Sequence, residues 1–246
     1  GVCDMFPYFK VPPLNTIPND ESLVELLATL KNYKQVFLVM MDCELEWNAT
    51  SVGKIMKIIN NCETRSVTLL LDVGCNPLLV NPNTHQLNSL EELSTRNRGA
   101  ASREFNILIT NTSCNITSIG DNFLSGCHEL GFVNIRSLSG IRSVGHGFLN
   151  DSFRLSGANI QSLHSVTKIG NSFFNKCSSL RSVDLSSLCN VTEIGDAFFS
   201  GCTKLPAIDL EALKNVTSIG NNFFYGCPGL ESIDLSPFIN VVRVGN

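Results

Sequence analysis

An Ile-Gly or Val-Gly dipeptide begins at residues 119, 144, 169, 194, 219 and 244, so the interval is 25 residues at every step. A fixed period of this length implies a fold made by stacking like units. The units read IGDNFLSGCHELGFVNI, VGHGFLNDSFRLSGANI, IGNSFFNKCSSLRSVDL, IGDAFFSGCTKLPAIDL and IGNNFFYGCPGLESIDL, each followed by a short return such as SSLCNVTE. One such unit has too little apolar surface to close a core of its own. Its open faces must be covered by its neighbours, which is the physics of a solenoid. The phenylalanine pairs at 173–174, 198–199 and 223–224 then form a rib that stacks from unit to unit.

Two apolar periods divide the unit. Residues Leu180–Leu185 (LRSVDL) alternate as a half-buried strand does, with Val183 and Leu185 inward and Ser182 and Asp184 outward. Leu188, Val191 and Ile194 recur every third residue, as in a tight turn or extended return. Phe173, Phe174, Cys177 and Leu180 follow at spacings that predict one or two helical turns. The expected unit is therefore strand, turn, return, short helix.

The pattern L-x-x-[IV]-x-[LI], then I-G-x-x-[FA]-F-x-x-C-x-x-L, resembles the leucine-rich repeats of the BspA type over about 105–246. The resemblance implies an α/β fold: a right-handed leucine-rich-repeat solenoid with a concave parallel sheet. It would carry helices on the convex side of its N-terminal half and short helical turns in its C-terminal half. The resemblance also implies the ectodomain of a cell-surface or secreted protein, an adhesin or receptor of a microbe or protist. The second unit departs from the pattern, because Ser152 replaces the cysteine and Gly157-Ala158 thins the strand.

Residues 19–104 read as longer, less regular repeats. Asn19 or Asp20 caps a helix carrying Leu23, Leu26, Leu27 and Leu30, and an apolar strand follows at Val36–Met41. A second helix is expected at about 52–62 and a strand at about 66–71, and Phe105–Thr110 makes a third strand. Residues 1–18, with Pro7, Pro12, Pro13 and Pro18, form an extended cap segment, and 105–246 hold the regular repeats. A separate N-terminal α/β domain is the alternative. The sixth unit stops at Asn246 without a polar capping repeat, so the reading is of a piece of a longer protein, with any leader or membrane anchor outside it.

With 18 basic and 22 acidic residues and no basic cluster, a nucleic-acid partner is disfavoured. Charged residues make up only 16%, so the surface relies on uncharged polar groups, which suits a protein solubilised partly by N-linked glycans. The acceptor tripeptide N-x-[ST] occurs at Asn48, Asn111, Asn115, Asn150, Asn190 and Asn215, with Asn48 or Asn150 the safest to be occupied. Asn115, Asn190 and Asn215 share one repeat phase, where N-[IV]-T can instead make the turn, with Thr bonding across coils.

Cys127, Cys177, Cys202 and Cys227 share another phase and read as a buried column of small side chains. Cys3, Cys43, Cys62, Cys75 and Cys114 are disulfide candidates in an exported protein, whereas the in-phase mate of Cys189, Cys114, lies too many coils away to be bridged to it. His85, His128, His146 and His164 are scattered, Trp47 sits in a polar loop, and no nucleophile elbow, phosphate loop or metal-binding signature is present. The expectation is no enzyme, no cofactor and no metal.

What remains is the outward face of the strands. It reads as Asn106, Ile107 and Ile109; Phe132, Asn134 and Arg136; Ser156, Asn159 and Gln161; Arg181, Ser182 and Asp184; Ala207, Asp209 and Glu211; Glu231, Ser232 and Asp234. Of these, Phe132, Asn134, Arg136, Asn159, Gln161, Arg181, Asp184, Asp209, Glu211 and Asp234 are the candidate ligand-binding residues. The expected ligand is a protein or a glycan. A surface-coat or spacer glycoprotein without a tight ligand is the alternative, with Asp and Asn merely solvating the strand edges.

Overall fold

The structure is a computed structural model that describes residues 25, 28, 29, 35–40, 53, 57, 66–73, 79–93, 104–111 and 115–246. The described residues form two ribbons of strands. The first is a six-stranded parallel sheet in spatial order β1 (Gln35–Met40), β2 (Ser66–Asp72), β5 (Glu104–Thr110), β7 (Leu130–Asn134), β9 (Gly157–Asn159) and β11 (Ser182–Val183). The second is made of two-residue strands: β3 (Val80–Asn81), β4 (Gln86–Leu87), β6 (Ser118–Ile119), β8 (Ser143–Val144), β10 (Lys168–Ile169), β12 (Glu193–Ile194), β13 (Ser218–Ile219) and β14 (Arg243–Val244). All its pairs are parallel except the β3–β4 hairpin. The return of each unit is thus itself a ladder rung, because the Ile-Gly dipeptide of one coil pairs with that of the next, as Ile194 does with Ile219.

The strands expected at 36, 67 and 105 lie within one residue of those positions, and their unequal spacings still put them in one sheet, Gln35 opposite Ser66 and Ser66 opposite Glu104. The regular period begins after a bulge between Phe105 and Asn106, where β7 carries one residue more than β5. From there Phe132 faces Gly157 and Gly157 faces Ser182 at the sequence period. The strands shorten along the chain, from seven residues in β5 to two in β11. Ser66, Thr68, Leu70 and Asp72, on the outer side of β2, are buried along with Val67, Leu69 and Leu71 on its core side. Both faces of the sheet are therefore covered at β2.

The phenylalanine rib is present as expected. Phe123, Phe148, Phe173, Phe198 and Phe223 stack coil on coil, with centroids 4.8 to 5.7 Å apart. The second column, Phe174, Phe199 and Phe224, steps by 5.0 and 5.5 Å, and the two columns meet edge-on within each coil. Offset-stacked and edge-to-face contacts add to plain burial because the ring edge is positive and the face negative.

The helical turn expected at the phenylalanine pair is not there. Ser172, Phe174 and Lys176 have φ of 60°, 54° and 60°, and Ala197, Phe199 and Gly201 repeat the alternation. A helix would use its N–H groups within the coil. Alternating the sign of φ instead turns them sideways to both neighbours: Ser172 N–H donates to Asp196 O, Phe174 N–H to Phe148 O, and Lys176 N–H to Ser200 O. Left-handed backbone at phenylalanine costs on the order of 1–2 kcal/mol, which the inter-coil bonds and complete burial of Phe174 and Phe199 offset. Helical turns occur elsewhere in the unit. They are 3-10 turns at Gln161–Leu163, Ser186–Leu188, Glu211–Leu213 and Ser236–Asn240, between strand and return. Of the two helices expected in the N-terminal half, only Glu25, Ala28, Thr29, Gly53 and Lys57 are described, and these five are helical. The cap segment 1–18 lies outside the described residues.

Candidate functional site

The open face of the six-stranded sheet begins at β5. Its alternation puts Phe105, Ile107 and Ile109 in the core and Glu104, Asn106, Leu108 and Thr110 outward. Ile107 and Ile109 are therefore not on the outer face, contrary to expectation. A strand's period is two, so naming its outer residues one position out moves each to the wrong side.

Beyond β5 the expected residues do face solvent. Phe132 is 39% exposed, and a Cβ on Gly157 would lie 3.4 Å from its ring atoms Cδ2 and Cε2. The ring thus rests on bare backbone of the next coil. Arg136, Arg181, Ser182, Asp184, Asp209, Glu211, Glu231, Ser232 and Asp234 are exposed, and Asn134, Asn159 and Gln161 are half-buried.

Asn134, Asn159, Asp184, Asp209 and Asp234 form a stripe, and each also has a local task. Their Oδ1 atoms accept the backbone N–H two residues on, of Arg136, Gln161, Ser186, Glu211 and Ser236, at 2.8 to 3.2 Å. This Asx turn leads into the turn that follows, a 3-10 turn after Asn159, Asp184, Asp209 and Asp234. Gln161 ties two coils together, donating from Nε2 to Asp184 Oδ2 at 2.6 Å and Ser186 Oγ at 3.1 Å. The Ser186 N–H holds the Asp184 carboxyl below the usual carboxylate range, and the Ser236 N–H does the same for Asp234.

A second ladder was not anticipated from the sequence. The residue after each repeat glycine accepts, through its side chain, the backbone N–H of the equivalent residue in the next coil. His146 N–H donates to Asp121 Oδ1, Asn171 N–H to His146 Nδ1, Asp196 N–H to Asn171 Oδ1, Asn221 N–H to Asp196 Oδ1 and Asn246 N–H to Asn221 Oδ1, at 2.7 to 2.9 Å. The signal was available: Asp, His or Asn, each able to accept a hydrogen bond, follows the dipeptide in these units. Another exposed aromatic, Phe153, was also missed. It packs against His128 with centroids 4.7 Å apart, beside the His128–Asp151 contact and the Arg154–Glu129 ion pair.

The cysteine column is buried as expected at Cys127, Cys177 and Cys202 and half-buried at Cys227. Cys177 Sγ donates to Leu149 O, Cys202 Sγ to Phe174 O and Cys227 Sγ to Phe199 O, each 28 residues back. Ser152 fits the same seat, donating from Oγ to Leu124 O at 2.9 Å, so the departing unit keeps the bond. Burial pushes the Cys127 and Cys202 thiols up to about 12 and raises Cys177 and Cys227 as well. Cys189 is an exposed free thiol. Cys3, Cys43, Cys62, Cys75 and Cys114 lie outside the described residues, as do Trp47 and Asn48. Among the described residues no group of three His, Cys, Asp or Glu side chains is arranged to hold a metal, and no helix is long and apolar enough to cross a membrane.

The model of the BspA type leucine rich repeat region matches residues 100–231 in six copies, more than half of the chain. The chain belongs to this family. No curated protein and no solved structure matches it. The BspA-type match spans strands β5 to β11 of the six-stranded sheet, the Asx stripe through Asp209, and the phenylalanine rib.

Proposed function

We propose that this chain is part of a cell-surface or secreted protein that binds a protein or glycan through the outer face of its six-stranded sheet, without catalysing a reaction. Membership of the BspA-type family supports the surface location. The observation that carries the binding reading is Phe132, an aromatic ring seated on the bare backbone of Gly157 and 39% exposed. Exposed Arg136 and Asp184 share its face by the strand alternation. Aromatic and arginine side chains of this kind dominate binding energy at interfaces.

A spacer or coat role is the second reading, and one observation favours it. Every member of the Asn/Asp stripe has an oxygen committed to its own turn, so the stripe has a structural reason to exist without a ligand.

The Asx turns determine how the readings are separated. Replacing Asp184, Asp209 and Asp234 by Lys removes three turn oxygens together with the charge. Replacing them by Asn keeps Oδ1, as Asn134 and Asn159 do. The chain is screened on arrays of glycans and surface proteins, and any ligand found is titrated against Phe132→Ala and the triple Asn variant. The binding reading expects at least about a tenfold rise in Kd for Phe132→Ala, and weaker binding of basic ligands by the triple variant. Unchanged affinity in both variants removes this face as the site.

A further inference from the structure

The N-x-[ST] tripeptides differ sharply in what the fold does with their amide nitrogen, the atom that a glycan would occupy. At Asn190 and Asn215, Nδ2 donates to a backbone carbonyl of the preceding coil, His164 O at 2.7 Å and Cys189 O at 2.8 Å. Asn240, in phase but without the acceptor tripeptide, makes the same bond to Lys214 O. The threonines of these tripeptides are committed as well, Thr192 Oγ1 to Thr167 O and Thr217 Oγ1 to Thr192 O. Here N-V-T is a stacking device.

Asn150 is engaged differently. It is half-buried, its Nδ2 bonded to Ser125 Oγ at 3.3 Å and its Oδ1 to Asn175 Nδ2 at 2.8 Å.

Asn115 opens the column and has no such bond. Where a preceding coil would offer a carbonyl, the chain runs through the turn of the β3–β4 hairpin, closed by Asn83 and Thr84 N–H donating to Asn81 Oδ1. Asn115 is exposed, and the in-phase residue of the next coil is Gly140, itself exposed and without a side chain to crowd it. Asn190, by contrast, lies between Ser165 and Asn215, and Asn215 between Asn190 and Asn240. Adjacent strands of a sheet lie roughly 4.8 Å apart, too close for glycans on successive coils.

We infer that Asn115 is the N-glycan acceptor of this repeat phase, and that Asn190 and Asn215 remain bare in the folded protein. The inference rests on the reading of the protein as exported. In the transfer, Asn115 Nδ2 bonds to C1 of an oligosaccharide carried on a lipid diphosphate. The C1–O bond to the diphosphate breaks, the diphosphate leaves, and one amide proton is lost to the transferase.

The chain is secreted from a eukaryotic cell behind a supplied signal sequence. The folded, monodisperse fraction is enzymatically deglycosylated in heavy-oxygen water, which marks each formerly occupied Asn as labelled Asp. Asn115 is expected to be labelled and Asn190 and Asn215 unlabelled. Both Asn115→Gln and Thr117→Ala are expected to lose one glycan's mass, the second while leaving Asn115 in place. An unlabelled Asn115, or label at Asn190 or Asn215, overturns the assignment. Because the supplied signal imposes export, this outcome is decided separately from whether the sheet face binds a ligand.

Discussion

Gly195→Ala is expected to destabilise the solenoid by about 3 kcal/mol, the upper part of the usual range for overpacking. A Cβ at Gly195 would lie 2.5 Å from Asn171 Oδ1, 2.8 Å from Asn171 N and 2.8 Å from Gly170 C. Two of these are backbone atoms of the preceding coil, which no rotamer change can move. Separating the coils there also strains two ladder bonds, Gly195 N–H to Ile169 O and Asp196 N–H to Asn171 Oδ1, both 2.9 Å. Gly157→Ala is the control. Its Cβ would meet the Phe132 ring and Ser182 O at 3.4 and 3.5 Å, which is ordinary contact. Thermal or denaturant unfolding of the two variants is expected to show a large loss for the first and a small one for the second. Equal losses would mean that the glycine is not required by coil spacing.

Phe173→Ala carries the second large effect, a loss of about 3–5 kcal/mol. Phe173 is completely buried and touches four other rings: Phe148, Phe174, Phe198 and Phe199. Its removal leaves a gap in the middle of the rib, where closing the gap would mean bringing coils nearer than their ladders allow. Since each coil is stabilised mainly by its neighbours, unfolding is expected to lose cooperativity, and amide exchange to rise first in the coils carboxy-terminal to the gap. Phe224→Ala, in a half-buried position, is expected to cost much less. A Phe173→Ala protein with unaltered stability would show that the stacked column is not what joins the coils.

The parts of this fold that repeat were legible, and the reasons are physical. Stacking in register requires the same side chain at the same phase, so the period alone located the rib, the cysteine column and the parallel pairing. The backbone between was not legible. Spacings of three and four at Phe173, Phe174, Cys177 and Leu180 suit a helical turn as well as they suit a left-handed alternation, and side-chain pattern does not separate the two. Nor did alternation in an apolar stretch such as FNILIT reveal which of its apolar residues face inward, which β5 resolves in favour of Phe105, Ile107 and Ile109.

The sheet face was legible as a position but not as a purpose. The stripe from Asn134 to Asp234 repeats because every coil needs an Asx turn at that point, so its regularity alone does not mark a ligand. Phe132 breaks the repeat, with Gly157, Ser182, Ala207 and Ser232 in its phase or beside it. Departures from the period, rather than the period itself, are where function is to be sought in such a chain.

The buried thiols give the molecule an internal clock. Cys127, Cys177 and Cys202 are almost completely enclosed, while Cys227 is only half-buried, and a raised thiol leaves little thiolate to react at neutral pH. Alkylation of Cys127, Cys177 and Cys202 must therefore wait for each one's coil to part from the next, so the order in which these three are modified, after the more open Cys227, records the direction in which the stack unzips.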